Sequence, residues 1–106
     1  MKYYLSGAIS KQPDFKNYFK QHEDELRHWG VTSIFNPASV HWPKDVKWAK
    51  CMKFDIAILM NCDCLVLLPN WKKSKGVKVE LYLCKKLKIR VITFNDLIRE
   101  LMIHAS

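Results

Sequence analysis

The sequence predicts an α/β protein of three layers, with a four-stranded parallel sheet of order 2-1-3-4 and helices on both faces. Three observations carry that expectation. Short strand-like runs alternate with helical segments along the whole chain, which is the signature of a parallel sheet built from crossover units. The run Cys64–Leu68 (CLVLL) is apolar without alternation, as in a strand buried on both faces. Two longer segments, 46–60 and 74–87, have helical rather than strand periodicity.

Taken in order, residues 2–5 read as a first strand that ends in Ser6-Gly7-Ala8. Pro13 suits the first turn of a helix reaching Trp29, and Gly30 is its stop. Residues 32–35 form a short second strand closed by Asn36-Pro37, followed by a loop from Pro37 to Pro43 and the helix over 46–60. After the CLVLL strand comes the helix over 74–87, then a fourth strand (Ile89–Thr93) and a last helix over 95–103. Right-handed crossovers set the order 2-1-3-4, a small Rossmann-like or flavodoxin-like sheet. In such sheets ligands lie beyond the carboxyl ends of the strands, at the switch point between strands 1 and 3. The loops Ser6–Ile9, Asn36 and Pro69–Gly76 all face that crevice, whereas Asp63 falls at the opposite rim in a structural position.

At 106 residues the chain is long enough for one domain, residues 1–106, with a real core. Its hydrophobic share of 49% and charged share of 26% exclude a disordered chain. The apolar runs are too short to span a membrane, and MKYYLSGA lacks a signal-peptide core, so a soluble cytoplasmic protein is expected. Of the cysteines at 51, 62, 64 and 84, three are expected to face the core as reduced thiols. The pair Cys62-x-Cys64 has no matching histidine, and neither metal nor cofactor is expected. The net charge of +8 favours acidic partners. Most lysines lie on polar helix faces, but Lys72, Lys73, Lys75 and Lys78 flank one helix entry and would ring the mouth of a site there.

Two acids stand out. On a wheel of about 100° per residue, Glu80 projects near the centre of the apolar half formed by Val77, Val79, Leu81, Leu83, Cys84 and Leu87. Asp55 repeats the pattern between Trp48 and Leu59, on a face shared with Cys51, Met52 and Ile56. A carboxylate on such a face must be paired, neutralised or desolvated, at several kcal/mol if left alone. Salt bridges or helix caps would explain one such acid; two on neighbouring elements point to a functional site.

The stretches Tyr4-Leu5-Ser6-Gly7-Ala8-Ile9, Phe35-Asn36-Pro37-Ala38, Asp55-Ile56-Ala57-Ile58-Leu59, Asp63–Pro69 and Ser74-Lys75-Gly76-Val77-Lys78-Val79-Glu80-Leu81 together resemble the nucleoside 2-deoxyribosyltransferase-like superfamily, within it a group of small bacterial and phage proteins. The resemblance implies Glu80 as the nucleophile at the anomeric carbon, Asp55 as the residue assisting the departing base, and Tyr4 as the residue orienting the glutamate. Ser74, six positions before Glu80, resembles the serine of nucleotide N-glycosidases rather than the aspartate of the transferases. Its hydroxyl and the Gly76 N–H at a helix start would hold a 5′-phosphate. Ser6, Gly7, Ala8, Ile9, Asn36 and Trp71 are the further substrate-binding candidates, with Trp42 and Trp48 as other indoles able to stack on a base. The loop Ala8-Ile9-Ser10-Lys11 lacks the family's arginine, leaving Lys11 in its place. No residue of 93–106 matches the polar group that a neighbouring subunit contributes in the family.

The implied activity is hydrolysis or transfer at the N-glycosidic bond of a nucleoside or deoxynucleoside 5′-monophosphate. Burial would raise the Glu80 pKa, and the helix start and a tyrosine hydrogen bond would lower it, so an ionised glutamate is expected. The alternative is a non-catalytic nucleotide sensor or sponge on the same scaffold. A nucleic-acid-binding module is suggested by charge alone, with no base-reading surface to support it. The exposed apolar content favours a homodimer or larger homo-oligomer.

Overall fold

The structure, a computed structural model, describes residues 1–105; Ser106 lies outside the described residues. Strands β1 (Tyr3–Ser6), β2 (Ile34–Phe35), β3 (Cys64–Leu67) and β4 (Arg90–Thr93) form one sheet of order β2-β1-β3-β4. Every neighbouring pair is parallel, with Tyr4 opposite both Phe35 and Leu65, and Leu65 opposite Val91. The α-helices are α1 (Phe15–His28), α2 (Trp48–Leu59), α3 (Lys75–Leu87) and α4 (Phe94–Ala105). Single 3₁₀ turns cover Pro37–Ser39 and Trp71–Lys73.

Strand alternation divides the core between the two faces of the sheet. Leu5, Cys64, Val66 and Ile92 point to the side where Phe19 and Leu26 of α1 and Leu97 of α4 pack. Tyr4, Leu65 and Leu67 point to the other, against Leu59 of α2 and Val77 and Cys84 of α3. The central strand β3 is buried along its whole length, as its unbroken apolar run requires. β2 is shorter than the predicted 32–35, because Thr32 and Ser33 are exposed. At this edge the ladder begins with the Tyr3 N–H donating to the Ser33 carbonyl at 3.0 Å.

Helix ends follow local chemistry. Gly30, at φ 96°, closes α1, and the Val31 N–H returns to the Leu26 carbonyl at 3.1 Å. Lys88 closes α3 in the same left-handed conformation, at φ 57°, while the Ile89 N–H reaches the Cys84 carbonyl at 2.9 Å. That is a Schellman ending without its usual glycine. Lys88→Gly is therefore expected to stabilise the fold by about 0.5–1 kcal/mol, read as a higher urea midpoint with an unchanged slope.

Several expectations need correction. The helical wheel puts Trp48 on a buried face, but it is 43% exposed, and Leu87 of α3 is likewise largely exposed. Both sit at helix ends, where the apolar stripe runs beyond the sheet. Cys64 and Cys84 are buried, whereas Cys51 and Cys62 are only half-buried, and all four are free thiols. Asp63 is structural: its carboxylate accepts the Lys2 backbone N–H at 2.7 Å, at the rim opposite the strand carboxyl ends. Among the described residues, no helix is long and apolar enough to cross a membrane.

Candidate functional site

A cleft of about 470 Å³ opens at the carboxyl end of the sheet, between β1 and helices α2 and α3. Its size lies in the usual range for small-ligand sites, roughly 300–1,000 Å³. The floor is β1. Because side chains alternate along a strand, Tyr4 and Ser6 face the same side and meet Glu80, which α3 projects inward one turn beyond Val77. The Tyr4 hydroxyl donates to Glu80 Oε2, and the Ser6 hydroxyl donates to Oε1 at 2.7 Å. Glu80 is only 5% exposed.

Ser6 is expected at the substrate; in the structure its hydroxyl is spent on the glutamate. Both carboxylate oxygens are thereby fixed in orientation by donors that carry no charge. Burial pushes the Glu80 pKa up, and the two hydrogen bonds, from Tyr4 first and Ser6 second, offset that only in part. Glu80 is the sixth residue of α3, beyond the first turn where the macrodipole acts, so the expected help from the helix start does not reach it. The Tyr4 phenol is held above its ordinary range by burial, then by the charges of Glu80 and Asp55, and stays a neutral donor.

Asp55 enters the same cleft from α2, at 9% exposure. Its Oδ1 is buried without a hydrogen-bond partner, a costly arrangement that proteins keep at sites of function. Burial, and then the nearby Glu80 charge, push its carboxyl up to about 7. Two acids in one cleft, one fixed by hydroxyls and one unpartnered and titrating near neutrality, differ in environment as a nucleophile and a proton donor must.

The rest of the lining divides by chemistry. The loop Gly7–Lys11 and the start of α3 supply polar and basic groups: Ser10, Lys11, Lys73, Ser74, Lys75 and Gly76. Ser74 caps α3, its Oγ accepting the Val77 N–H at 3.2 Å, which leaves its hydroxyl proton free to donate outward. The N–H groups of Lys75 and Gly76 lie in the first turn, without intrahelical acceptors. Together they make a seat suited to an anion. Gly76 packs against Met52, and a Cβ there would come within 3.1 Å of the Met52 sulfur. Of the four lysines expected at the mouth, Lys73 and Lys75 line the cleft; Lys72 lies over the Trp71 ring instead, and Lys78 points to solvent.

Two predicted contacts are not brought to the cleft. Asn36 is buried as a turn residue, its Oδ1 accepting the Ala38 N–H at 2.9 Å and its Nδ2 donating to Glu23 Oε1 at 3.0 Å. Trp71 packs against the hydrophobic cluster on the α2–α3 side of the sheet. Trp42 packs edge-on against Phe54. Trp48, in contrast, stands at the cleft mouth beside Met52.

Asn70 is the residue that sequence reasoning missed. Its Oδ1 accepts the Ala8 N–H at 3.0 Å and its Nδ2 donates to the Ala8 carbonyl at 3.4 Å, clamping the loop after β1 to the loop after β3. The Pro69-Asn70 pair carries only a turn signal. The clamp passes over Gly7, where a Cβ would meet Asn70 Oδ1 at 2.8 Å, Phe19 at 3.1 Å and Leu68 at 3.2 Å. Gly7→Ala is expected to cost about 1–3 kcal/mol by overpacking, with a matching loss of Tm and weaker ligand binding at this loop.

Among the described residues, no three histidine, cysteine or acidic side chains stand together as a metal site. No curated protein matches the chain. Residues 1–93 match the sequence profile of a domain of unknown function, DUF4406, a span that holds all four strands and every cleft residue named above. The chain belongs to the DUF4406 family.

Proposed function

We propose that this cleft cleaves the N-glycosidic bond of a nucleoside or deoxynucleoside 5′-monophosphate, with Glu80 as nucleophile and Asp55 as proton donor. The observation that carries the reading is the pair of buried acids: Glu80 held by the Tyr4 and Ser6 hydroxyls, and Asp55 unpartnered in the same cleft. The resemblance to nucleoside 2-deoxyribosyltransferase-like proteins supports the same roles. In the first step a Glu80 oxygen bonds to C1′ as the C1′–N bond breaks. The bonding pair leaves with the base nitrogen, which takes its proton from Asp55. In the second step water, deprotonated by the Asp55 carboxylate, attacks C1′ and releases Glu80; another base in place of water makes the reaction a transfer. The basic end of the cleft, with Ser74 and the α3 start, takes the 5′-phosphate.

One observation favours a second reading, a nucleotide-binding sensor or sponge. Both Glu80 oxygens accept hydrogen bonds and the carboxyl is pushed upward by burial, which lowers its nucleophilicity. Chromatography of reactions with nucleosides and their 5′-monophosphates separates the two. The glycosidase reading predicts free base from a monophosphate and far less from its nucleoside. Thermal stabilisation by a nucleotide with no base released supports the sensor and rejects the enzyme. The protein is proposed to act on free nucleotides in the cytoplasm. The exposed apolar side chains Tyr82, Leu87 and Val91 favour a homo-oligomer, to be read by analytical ultracentrifugation.

A further inference from the structure

The α2 wall of the cleft has a chemistry of its own. Trp48, Met52 and Asp55 are spaced i, i+4, i+7, so they form one stripe about 10 Å long at the α-helical rise. All three line the cleft. The stripe runs from an indole at the mouth, through a thioether, to a buried carboxyl whose Oδ1 has no partner. It faces the cleft opposite the basic wall, so the two ends of the cleft suit opposite ends of one ligand. The Trp48 ring is already occupied: Lys75 Nζ lies 4.8 Å from its centroid. This cation–π contact bridges the start of α3 and the start of α2 across the mouth, and it holds the ammonium over an aromatic face instead of at the basic wall.

We propose that the Trp48–Met52–Asp55 stripe is the seat of a planar heterocyclic base, and that the base takes the place of Lys75 over the Trp48 indole. The inference deepens the nucleotide reading above and rests on a nucleotide being the ligand. Base–aromatic stacking on an exposed indole is an effective, sequence-tolerant contact, and Met52 offers a polarisable flank beside it. Asp55, as the neutral acid, presents a donor O–H beside an acceptor carbonyl. It therefore complements a base edge with an acceptor and a donor side by side, as adenine and cytosine have in their ring nitrogen and amino group. Lys75, displaced from the ring, becomes available to the phosphate end, which couples recognition of the base to recognition of the anion. Trp48 is in this account a specificity-determining residue; Lys75 is its ligand-free cover.

The test uses the full-length protein, deoxynucleoside 5′-monophosphates of the four bases, and 2-deoxyribose 5-phosphate as the probe without a base. Tryptophan fluorescence is titrated in the wild type, Trp48→Phe and Trp48→Ala, with circular dichroism to confirm that each variant is folded. The expected result is a saturable change with nucleotides, strongest for adenine or cytosine, and little change with the sugar phosphate. Trp48→Phe should lose most of that signal yet keep binding by competition, and Trp48→Ala should weaken binding about 10-fold or more, the worth of one base–aromatic stack. Unchanged nucleotide affinity in folded Trp48→Ala overturns the proposal, even where base release continues. A Trp48-dependent change without any base release leaves the base seat standing and rejects the glycosidase. Equal binding of the sugar phosphate and the nucleotides rejects the base seat alone, and no binding of either rejects both readings.

Discussion

Glu80→Gln is expected to abolish base release, lowering the rate at least about 10³-fold as loss of a nucleophile does in other covalent enzymes. The amide keeps the shape of the carboxyl and one acceptor oxygen, and the Tyr4 and Ser6 hydroxyls can rotate to accept from its NH₂. Folding should survive for the same reason. The sign of the stability change follows from burial, which raises the Glu80 pKa in the fold. A carboxyl raised on folding binds more protons in the native state than in the unfolded chain, so stability falls as pH climbs through its folded pKa. The amide cannot lose a proton. At pH 8 the urea midpoint of Glu80→Gln should equal or exceed that of the wild type, while activity is gone. A variant that is inactive and also markedly less stable would make Glu80 a structural acid.

Asp55→Asn should move activity and stability in opposite directions. The side-chain amide has no acidic proton to give to a departing base, and base release should fall about 10²–10³-fold, within the range that positioned acids contribute. The Asp55 pKa in the fold is about 7, against an ordinary value of 3.8. Between those values the native state holds a proton that the unfolded chain has lost, and wild-type stability therefore declines from about pH 4 to pH 7 and stays lower above it. The span corresponds to a few kcal/mol, roughly 2–4. The substitution removes that decline. Urea unfolding at pH 5 and pH 8 should show a shallower pH dependence for Asp55→Asn, with a gain of about 2 kcal/mol at pH 8. Equal slopes for the two proteins would mean that Asp55 is ionised and solvated in the fold. The expectation for the rate is a loss of wild-type activity as pH rises through 7, since the acid form carries the proton.

Most of the architecture was legible because it rests on local chemistry. The unbroken CLVLL run fixes the central strand, Gly30 ends α1, and alternating elements leave little choice of topology. The two acids were legible for a different reason: helical periodicity assigns each position a side, and a carboxyl on the apolar side is conspicuous. What periodicity does not show is the partner. Ser6 is expected beside the ligand because it follows β1, yet its hydroxyl is turned to Glu80 by the same two-residue alternation that directs Tyr4. Asn70 was invisible because its partner, Ala8, lies 62 positions away and offers only backbone. Trp71 and Trp48 exchange expected roles. A loop position after β3 suggests that Trp71 meets the ligand, but the 3₁₀ turn at Trp71–Lys73 folds the indole back onto the core. Trp48, one turn above the sheet, is left at the cleft mouth. Side-chain direction at element ends depends on the fold as a whole, and there the sequence pattern has no period to read.

The intact mass of the protein quenched during turnover bears most directly on the role of Glu80. With the nucleotide that gives the fastest base release, the account predicts a species heavier by one sugar phosphate, formed as base appears. Peptide mapping should place the adduct at Glu80, and Glu80→Gln should form none. Undiminished base release by Glu80→Gln, or an adduct on any other side chain, would contradict it.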